Sequence, residues 1–311
     1  MKAIVTGGMG FIGSALTSRL MRDGWEVVVI DTMEDPYVRL TKNAYGKFRL
    51  VKEDICFMND WELEGVDTVF HFAAHFANIK SLSEPMENVR VNMLGTMAVL
   101  EFCRKNKVKN LVYASSSGVY GGSDVSVYTE DMSPKPATPY EVTKYSGEIL
   151  CSGYCDIYGI NFSSPRFFNV YGVGDVDGEF RCVIPNFFRK AISGQDIIVT
   201  GEDSSRDFSY IDDVIDAVIA GRDYVDGGGQ VVYNIATGKE TKIVDLANII
   251  IKLVGSNSKI KVEPRRFWDN TPRRVGDTSR FSKLFKSQCE NMRNVEQGLS
   301  KSLDWYREVC R

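Results

Sequence analysis

The apolar run Ala3-Ile4-Val5 passes directly into Thr6-Gly7-Gly8-Met9-Gly10-Phe11-Ile12-Gly13, after which the apolar spacing becomes helical. No other stretch constrains the fold as strongly. Gly8, Gly10 and Gly13 satisfy GxGxxG, and Gly7, Gly10 and Gly13 satisfy GxxGxxG. Either spacing gives a tight turn from strand to helix, where backbone N–H groups and the positive helix end can approach a pyrophosphate closely. A glycine loop alone also serves plain turns. Here a strand precedes it, a helix follows, and Asp31 ends the second strand candidate, where a carboxylate can accept both hydroxyls of an adenosine ribose. Together these features predict a dinucleotide site. They predict NAD over NADP, because Asp31 would repel a 2′-phosphate and no arginine directly follows it.

Short strand candidates recur at Val27 to Ile30, Phe48 to Val51, Thr68 to Phe72 and Leu111 to Tyr113. Helical patterns follow Gly10 and fill Pro85 to Arg104 and Pro139 to Tyr158. Strands separated by helical crossovers specify an α/β fold with a Rossmann-type, doubly wound parallel sheet. Beyond about residue 168 the alternation weakens, and Gly172 to Glu179 reads as a loop. The expected organisation is a dinucleotide-binding domain over 1–168, joined by a returning strand near 231–235, and a smaller C-terminal α/β substrate-binding domain over 169–311. A length of 311 residues fits two domains of roughly 150.

Composition narrows the partners. With 38 Lys+Arg against 41 Asp+Glu, the bulk charge points to neither nucleic acid nor an anionic membrane. The longest apolar stretch, Ile249 to Val254, is broken by Lys252 and falls far short of the roughly 20 residues of a membrane span. The N-terminus lacks a secretory apolar region. Seven cysteines (Cys56, Cys103, Cys151, Cys155, Cys182, Cys289, Cys310) are scattered without a CxxC, which fits reduced thiols and a cytoplasmic location. Only His71 and His75 are present, without HxxxH or HExxH, so no metal site is expected.

Tyr140-Glu141-Val142-Thr143-Lys144 places a phenol and an ammonium four residues apart on one helical face. With 14 tyrosines in the chain, one such spacing is expected by chance. Its place makes it specific: it begins the helix after the fifth strand, and that strand runs into Ser115-Ser116-Ser117 at the sheet edge where ligands bind. A tyrosine of pKa near 10 is a poor base at neutral pH, so Lys144 must favour the phenolate while a serine steadies the reacting oxygen. Asp54-Ile55, after the third strand, can flank an adenine; Asp54 also reads as a helix cap. His71-Phe72-Ala73-Ala74 ends the fourth strand, its small alanines leaving room for a cofactor and His71 reading as a satisfied strand-end histidine.

At these residues the chain resembles the extended short-chain dehydrogenase/reductases, specifically their NAD-dependent nucleotide-sugar epimerases and dehydratases. The resemblance rests on TGGxGFIG at 6–13, HxAA at 71–74, Asn92 with Gly95-Thr96, SSSxVYG at 115–121, YxxxK with Glu148, RFFNVYG at 166–172, Arg206-Asp207-Phe208 and Tyr233-Asn234-Ile235. It implies Ser116, Tyr140 and Lys144 as catalytic residues, with Ser117 the fallback serine. It implies NAD contacts from Gly7, Gly10, Phe11, Ile12, Gly13, Asp31, Asp54, Ile55, Phe72, Ala73, Ala74, Asn92, Tyr140 and Lys144. Ser116, Ser117, Asn169 and Arg206 would contact a nucleotide-diphosphate sugar, and Arg273 or Arg274 would add a second phosphate clamp.

The resemblance also separates reactions. Dehydratases of this type carry Asp-Glu after the catalytic residue, decarboxylases keep a Glu, and 3,5-epimerases use a Cys at the position of Gly118; here the chain reads Ser117-Gly118. The remaining Ser/Tyr/Lys set is closest to that of UDP-glucose/galactose 4-epimerases and suffices for reversible hydride transfer at C4 of a UDP-hexose, through a 4-keto sugar. The segment Ala74 to Ser81 and the short Gly276-Asp277-Thr278-Ser279-Arg280 depart from a galactose epimerase, which leaves the sugar open. His75 or Lys80 can supply further acid–base chemistry, so a 4-keto-sugar reductase or another dehydratase or epimerase stands as the alternative, and a non-catalytic NAD-binding regulator as a more distant one. The resemblance further implies a homodimer built on the 85–104 and 139–158 helices, with Val99, Phe102, Ile149 and Tyr154 at the interface or in the core.

Overall fold

The computed structural model describes residues 1–33, 48–122, 125, 127–178, 183–266, 269 and 271–310. Cys182 and Glu179, the end of the glycine-rich loop, lie outside the described residues. The main sheet is built from β1 (Lys2–Thr6), β2 (Glu26–Asp31), β3 (Phe48–Lys52), β4 (Thr68–His71), β5 (Asn110–Tyr113), β6 (Asn161–Phe167) and β7 (Gln230–Ile235). They lie in the order β7-β6-β5-β4-β1-β2-β3, and every pairing is parallel. Parallel strands need crossovers, and the sequence supplies helices for them: α1 (Phe11–Arg22), α2 (Pro85–Lys105), α3 (Pro139–Tyr158) and α4 (Ile211–Val225).

Helices on both faces explain the strand composition. Ala3 and Val5 point into one buried cluster, with Leu16 of α1 and Ile215 and Val218 of α4. Ile4 points into the opposite cluster, with Leu100 and Phe102 of α2 and Cys151 of α3. Two buried faces make the strands near-continuous apolar runs instead of alternating ones. The strand order reverses between β1 and β4, so the C-terminal ends of these strands diverge and open a crevice for a ligand.

Three features differ from the sequence reading. Strand β6, Asn-Phe-Ser-Ser-Pro-Arg-Phe, lies one in from the sheet edge, carries no apolar run and is not among the strand candidates. Its Pro165 lacks an N–H, and it is tolerated because the ladder towards β5 skips residues 164 and 165 before pairing resumes between Ser115-Ser116 and Arg166-Phe167. Second, α2 is interrupted: Pro85–Val89 and Thr96–Lys105 are α-helical, and Arg90–Gly95 widens into a π-helical turn. Third, helix α4 accompanies the expected returning strand, β7, onto the main sheet, while Val127–Tyr128 leaves the first half to pair with Arg273–Gly276. The remaining C-terminal segments form small sheets, Ile197–Thr200 with Ile260–Glu263 and Thr241–Lys242 with Ser205–Arg206, and the helices Val183–Ile192, Ile243–Val254 and Val295–Val309. Among the described residues no helix is long and apolar enough to cross a membrane.

Candidate active site

A cavity of about 580 Å³ lies over the strand ends at the β1/β4 switch. Its floor is the glycine turn. Gly7 has φ of +69°, and a Cβ there would stand 2.6 Å from the Ala73 backbone nitrogen; a Cβ on Gly13 would collide with the Gly7 carbonyl oxygen. Gly10 precedes α1 without a side-chain cap, so the first-turn N–H groups of Phe11, Ile12 and Gly13 stand at the cavity wall without one. This cradle admits a diphosphate and no side chain, which fits a dinucleotide such as NAD.

Asp31 lines the same cavity. Its carboxylate accepts the Met9 N–H at 2.9 Å and the Met33 N–H at 3.0 Å, so it anchors the glycine turn. Burial pushes its pKa up, and the two amide hydrogen bonds oppose that. Asp54 proves to be both things that the sequence allowed, cap and cavity wall: it accepts the Cys56 N–H at 2.9 Å, pairs with Arg90 at 2.8 Å and lines the cavity beside Ile55. Burial acts to raise its pKa, but the Cys56 amide and the Arg90 guanidinium outweigh it and hold the carboxyl below its ordinary value. Phe72, Ala73 and Ala74 complete the wall.

Ser116, Tyr140 and Lys144 all line this cavity. Tyr140 sits in the first turn of α3, which Thr138 caps and Pro139 begins; Glu141 closes the capping box. Four residues on, about 6 Å along the axis, Lys144 lies on the same face. Its ammonium is buried, 4.6 Å from the centre of the Tyr113 ring, and burial pulls its pKa down to about 8. As an ammonium one helical turn from Tyr140, it can lend positive charge to the phenol's side of the helix. Beneath the trio, Ser115 Oγ donates to Glu148 at 2.7 Å, Arg166 grips both Glu148 oxygens at 2.5 and 3.1 Å, and Arg166 also donates to Tyr120 Oη at 3.0 Å. This buried network ties α3 to β6.

A second cleft, of about 770 Å³, joins the first at Asn169, which lines both. Arg206 and Arg274 line it; Arg273 does not, and pairs with Glu240 at 2.6 Å on an exposed face. Burial pulls the Arg206 pKa down, and Asp269 opposes it at 3.0 Å. Arg274 donates to the Gly121 carbonyl and to Thr271, each at 3.0 Å, and its buried Nε has no hydrogen-bond partner among the described residues. A buried donor without a partner fits a site that takes an anion.

Two expected contacts lie elsewhere. Ser117 is buried in the turn Ser117–Tyr120 and lines neither cavity, so Ser116 is the serine that faces the cofactor end. Asn92 is buried behind the wall, inside the π turn, where it accepts the His75 N–H at 2.8 Å and donates to the His75 carbonyl at 3.2 Å and to Thr143 Oγ1 at 3.0 Å. It holds the cofactor wall to α3 without lining it. His75 and Lys80 line the cofactor cavity and both face Glu84, at 2.9 and 3.9 Å. Sequence reasoning passed over Asn78 and Glu141, which line the second cleft. The Thr138-x-x-Glu141 spacing was a readable signal, but a capping glutamate reads as structural.

The sequence profile of the NAD dependent epimerase/dehydratase family matches residues 3–236. Over 99% of its length the chain is 32% identical to a UDP-N-acetyl-alpha-D-glucosaminuronate decarboxylase of Bacillus cytotoxicus, with 98% of that protein covered. It is 31% identical to a UDP-glucose 4-epimerase of Mycolicibacterium smegmatis, with 99% of each covered. Its backbone is similar to that of MoeE5, solved in complex with UDP-glucose and NAD, with a TM-score of 0.88 and 28% identity over 100% of both chains. A decarboxylase and an epimerase resemble it about equally, so overall likeness does not choose the reaction. It does establish the lineage: with a profile match over most of its length and a glycine cradle that fits the cofactor, the chain belongs to the NAD dependent epimerase/dehydratase family.

Proposed function

We propose that this protein interconverts two UDP-hexoses by NAD-dependent epimerisation at C4. The observation that carries this reading is Gly118. The position that carries an acid or thiol in the dehydrating, decarboxylating and 3,5-epimerising relatives is bare here, and a Cβ on it would press on Glu141 Cγ at 3.0 Å and Ser116 Oγ at 3.2 Å. The reacting set is then Ser116, Tyr140 and Lys144, while His75 and Lys80 of the same cavity both face Glu84. NAD bound in the first cavity supplies the hydride acceptor and, on return, the donor. Tyr140 takes the proton leaving the sugar 4-hydroxyl and gives it back, Lys144 stabilises the phenolate by its charge, and Ser116 steadies the sugar oxygen. Arg206 and Arg274 grip the diphosphate, with Arg274 Nε the donor that the substrate would satisfy, and Asn169 orients the substrate where the clefts meet. The free thiols among the described residues support work in a reducing cytoplasm, and the exposed apolar faces of α2 and α3 support a homodimer.

The test is to mix the purified protein with UDP-glucose, UDP-galactose and their N-acetyl counterparts, without added cofactor, and follow the anomeric protons by NMR. Interconversion of one pair is expected, with a fall of about 100-fold or more in Tyr140→Phe. Stoichiometric NAD(P)H consumption would instead mark a keto-sugar reductase, and full activity in Tyr140→Phe would overturn the mechanism.

A further inference from the structure

We infer that Glu141, with Asn78, restricts this site to nucleotide sugars whose hexose is uncharged, and rejects uronates. The inference rests on the proposed reading that the second cleft holds a nucleotide sugar, and it specifies the sugar's chemistry. Glu141 directly follows Tyr140 and lines the second cleft, and Asn169 beside it lines both cavities. The reacting sugar must lie where the cavities meet, because its carbon exchanges hydride with the cofactor while its diphosphate reaches the arginines. A Cβ on Gly118 would touch both Glu141 Cγ and Ser116 Oγ, which sets Glu141 at the sugar end of the cleft, with Arg274 4.0 Å away on the diphosphate side.

Its two oxygens have different surroundings. Oε2 accepts the Ala137 and Thr138 N–H groups at 2.9 and 3.2 Å, as the helix cap. Oε1 accepts the Asn78 amide at 3.3 Å, and the nearest cation, Arg274, stands 4.0 Å away and is already donating to Gly121 and Thr271. Asn78 is fixed from the other side, its Oδ1 accepting Thr138 Oγ1 at 3.1 Å. A carboxylate and an amide at the sugar end offer hydrogen bonds to hydroxyls. To a second carboxylate at the sugar end Glu141 offers a like charge, while the cations of the same cleft, Arg206 and Arg274 among them, are taken up by the diphosphate. Gly118 and Glu141 form a matched pair: the bare backbone at 118 makes the room that the Glu141 side chain fills. Specificity here comes from repulsion as well as fit.

The experiment measures binding of UDP-glucose, UDP-glucuronate and UDP to the holoprotein by calorimetry, in wild type and Glu141→Gln. Glutamine at this position retains the capping box, so the helix start is preserved. Wild type should bind UDP-glucose at least about tenfold more tightly than UDP-glucuronate, Glu141→Gln should cut that preference by about tenfold, and UDP affinity, which reads the effect on Arg274 alone, should shift far less than UDP-glucuronate affinity. Equal wild-type binding of the two sugars, or a preference that Glu141→Gln leaves intact, overturns the inference even where C4 epimerisation proceeds. Failure of every UDP compound to bind overturns the proposed function and this inference with it. Discrimination without turnover overturns the C4 reaction alone.

Discussion

At the scale of single residues, His71 shows how hydrogen-bond accounting fixes a role. Thr96 Oγ1 donates to the Asn92 carbonyl at 2.7 Å, so it must accept from His71 Nε2, 2.9 Å away. Thr6 Oγ1 already accepts the Phe72 and Ala73 N–H groups, so its proton goes to His71 Nδ1 at 2.8 Å. The network requires the neutral, Nε2-protonated ring. Burial, with the Lys144 charge adding to it, pushes its pKa down to about 3. The unfolded chain binds a proton near pH 6.5 and the folded one does not until about 3, so stability is complete above pH 6.5 and falls at about 1.4 kcal/mol per pH unit below it. Urea melts across pH 7 to 4 should show this slope, and His71→Gln should flatten it; an unchanged slope in the variant would assign the acid sensitivity to other groups. The sequence made His71 readable as structural because a strand-end histidine without a ligand partner usually is. Glu141 was not readable, because the setting of its cleft-facing oxygen depends on the bare backbone at Gly118 and on Asn78, 63 residues earlier in the chain.

At the scale of elements, legibility followed burial. Strands with two apolar faces, such as β1 and β2, were plain in the sequence. Strand β6 was not, because its buried positions include Ser163, Ser164 and Arg166, of which Ser164 and Arg166 are satisfied by a network that only the fold assembles. The π turn in α2 was hidden for a related reason: it serves Asn92, whose partners His75 and Thr143 are distant in sequence. The catalytic pair was legible because one helical turn sets its spacing, yet the helix position comes from Gly147. A methyl group there would collide with Tyr113 Oη, which donates to the Lys144 carbonyl at 3.3 Å and whose ring lies under the Lys144 ammonium. Gly147→Ala should push α3 off the sheet, cost roughly 1–3 kcal/mol in denaturant melts, and lower kcat more than it raises KM. A variant with wild-type kcat would show that the helix tolerates the shift.

At the scale of the whole molecule, the outer faces of α2 and α3 carry a feature that neither the core nor the clefts use. Val142, Ile149 and Ile157 form an exposed apolar stripe along α3, and Met86, Val89 and Leu94 are exposed on α2, which packs beside it. Val99 and Phe102, which the sequence left divided between core and interface, are fully buried within the protomer, whereas Ile149 is exposed. A contiguous apolar surface of this kind is costly in water unless a partner covers it. A two-fold axis between two copies would lay each pair of helices on the other, in a self-complementary contact. Such a dimer would join assembly to catalysis, because the inner face of α3 carries Lys144 and its first turn carries Tyr140. Wild type should sediment as a dimer at micromolar concentration. Ile149→Asp should sediment as a monomer with unchanged circular dichroism, since the side chain it replaces contributes little to the protomer's core. Its unfolding midpoint should drop towards a concentration-independent value, whereas the wild-type midpoint should rise with protein concentration. A wild-type protein that sediments as a monomer would leave the stripe without this partner.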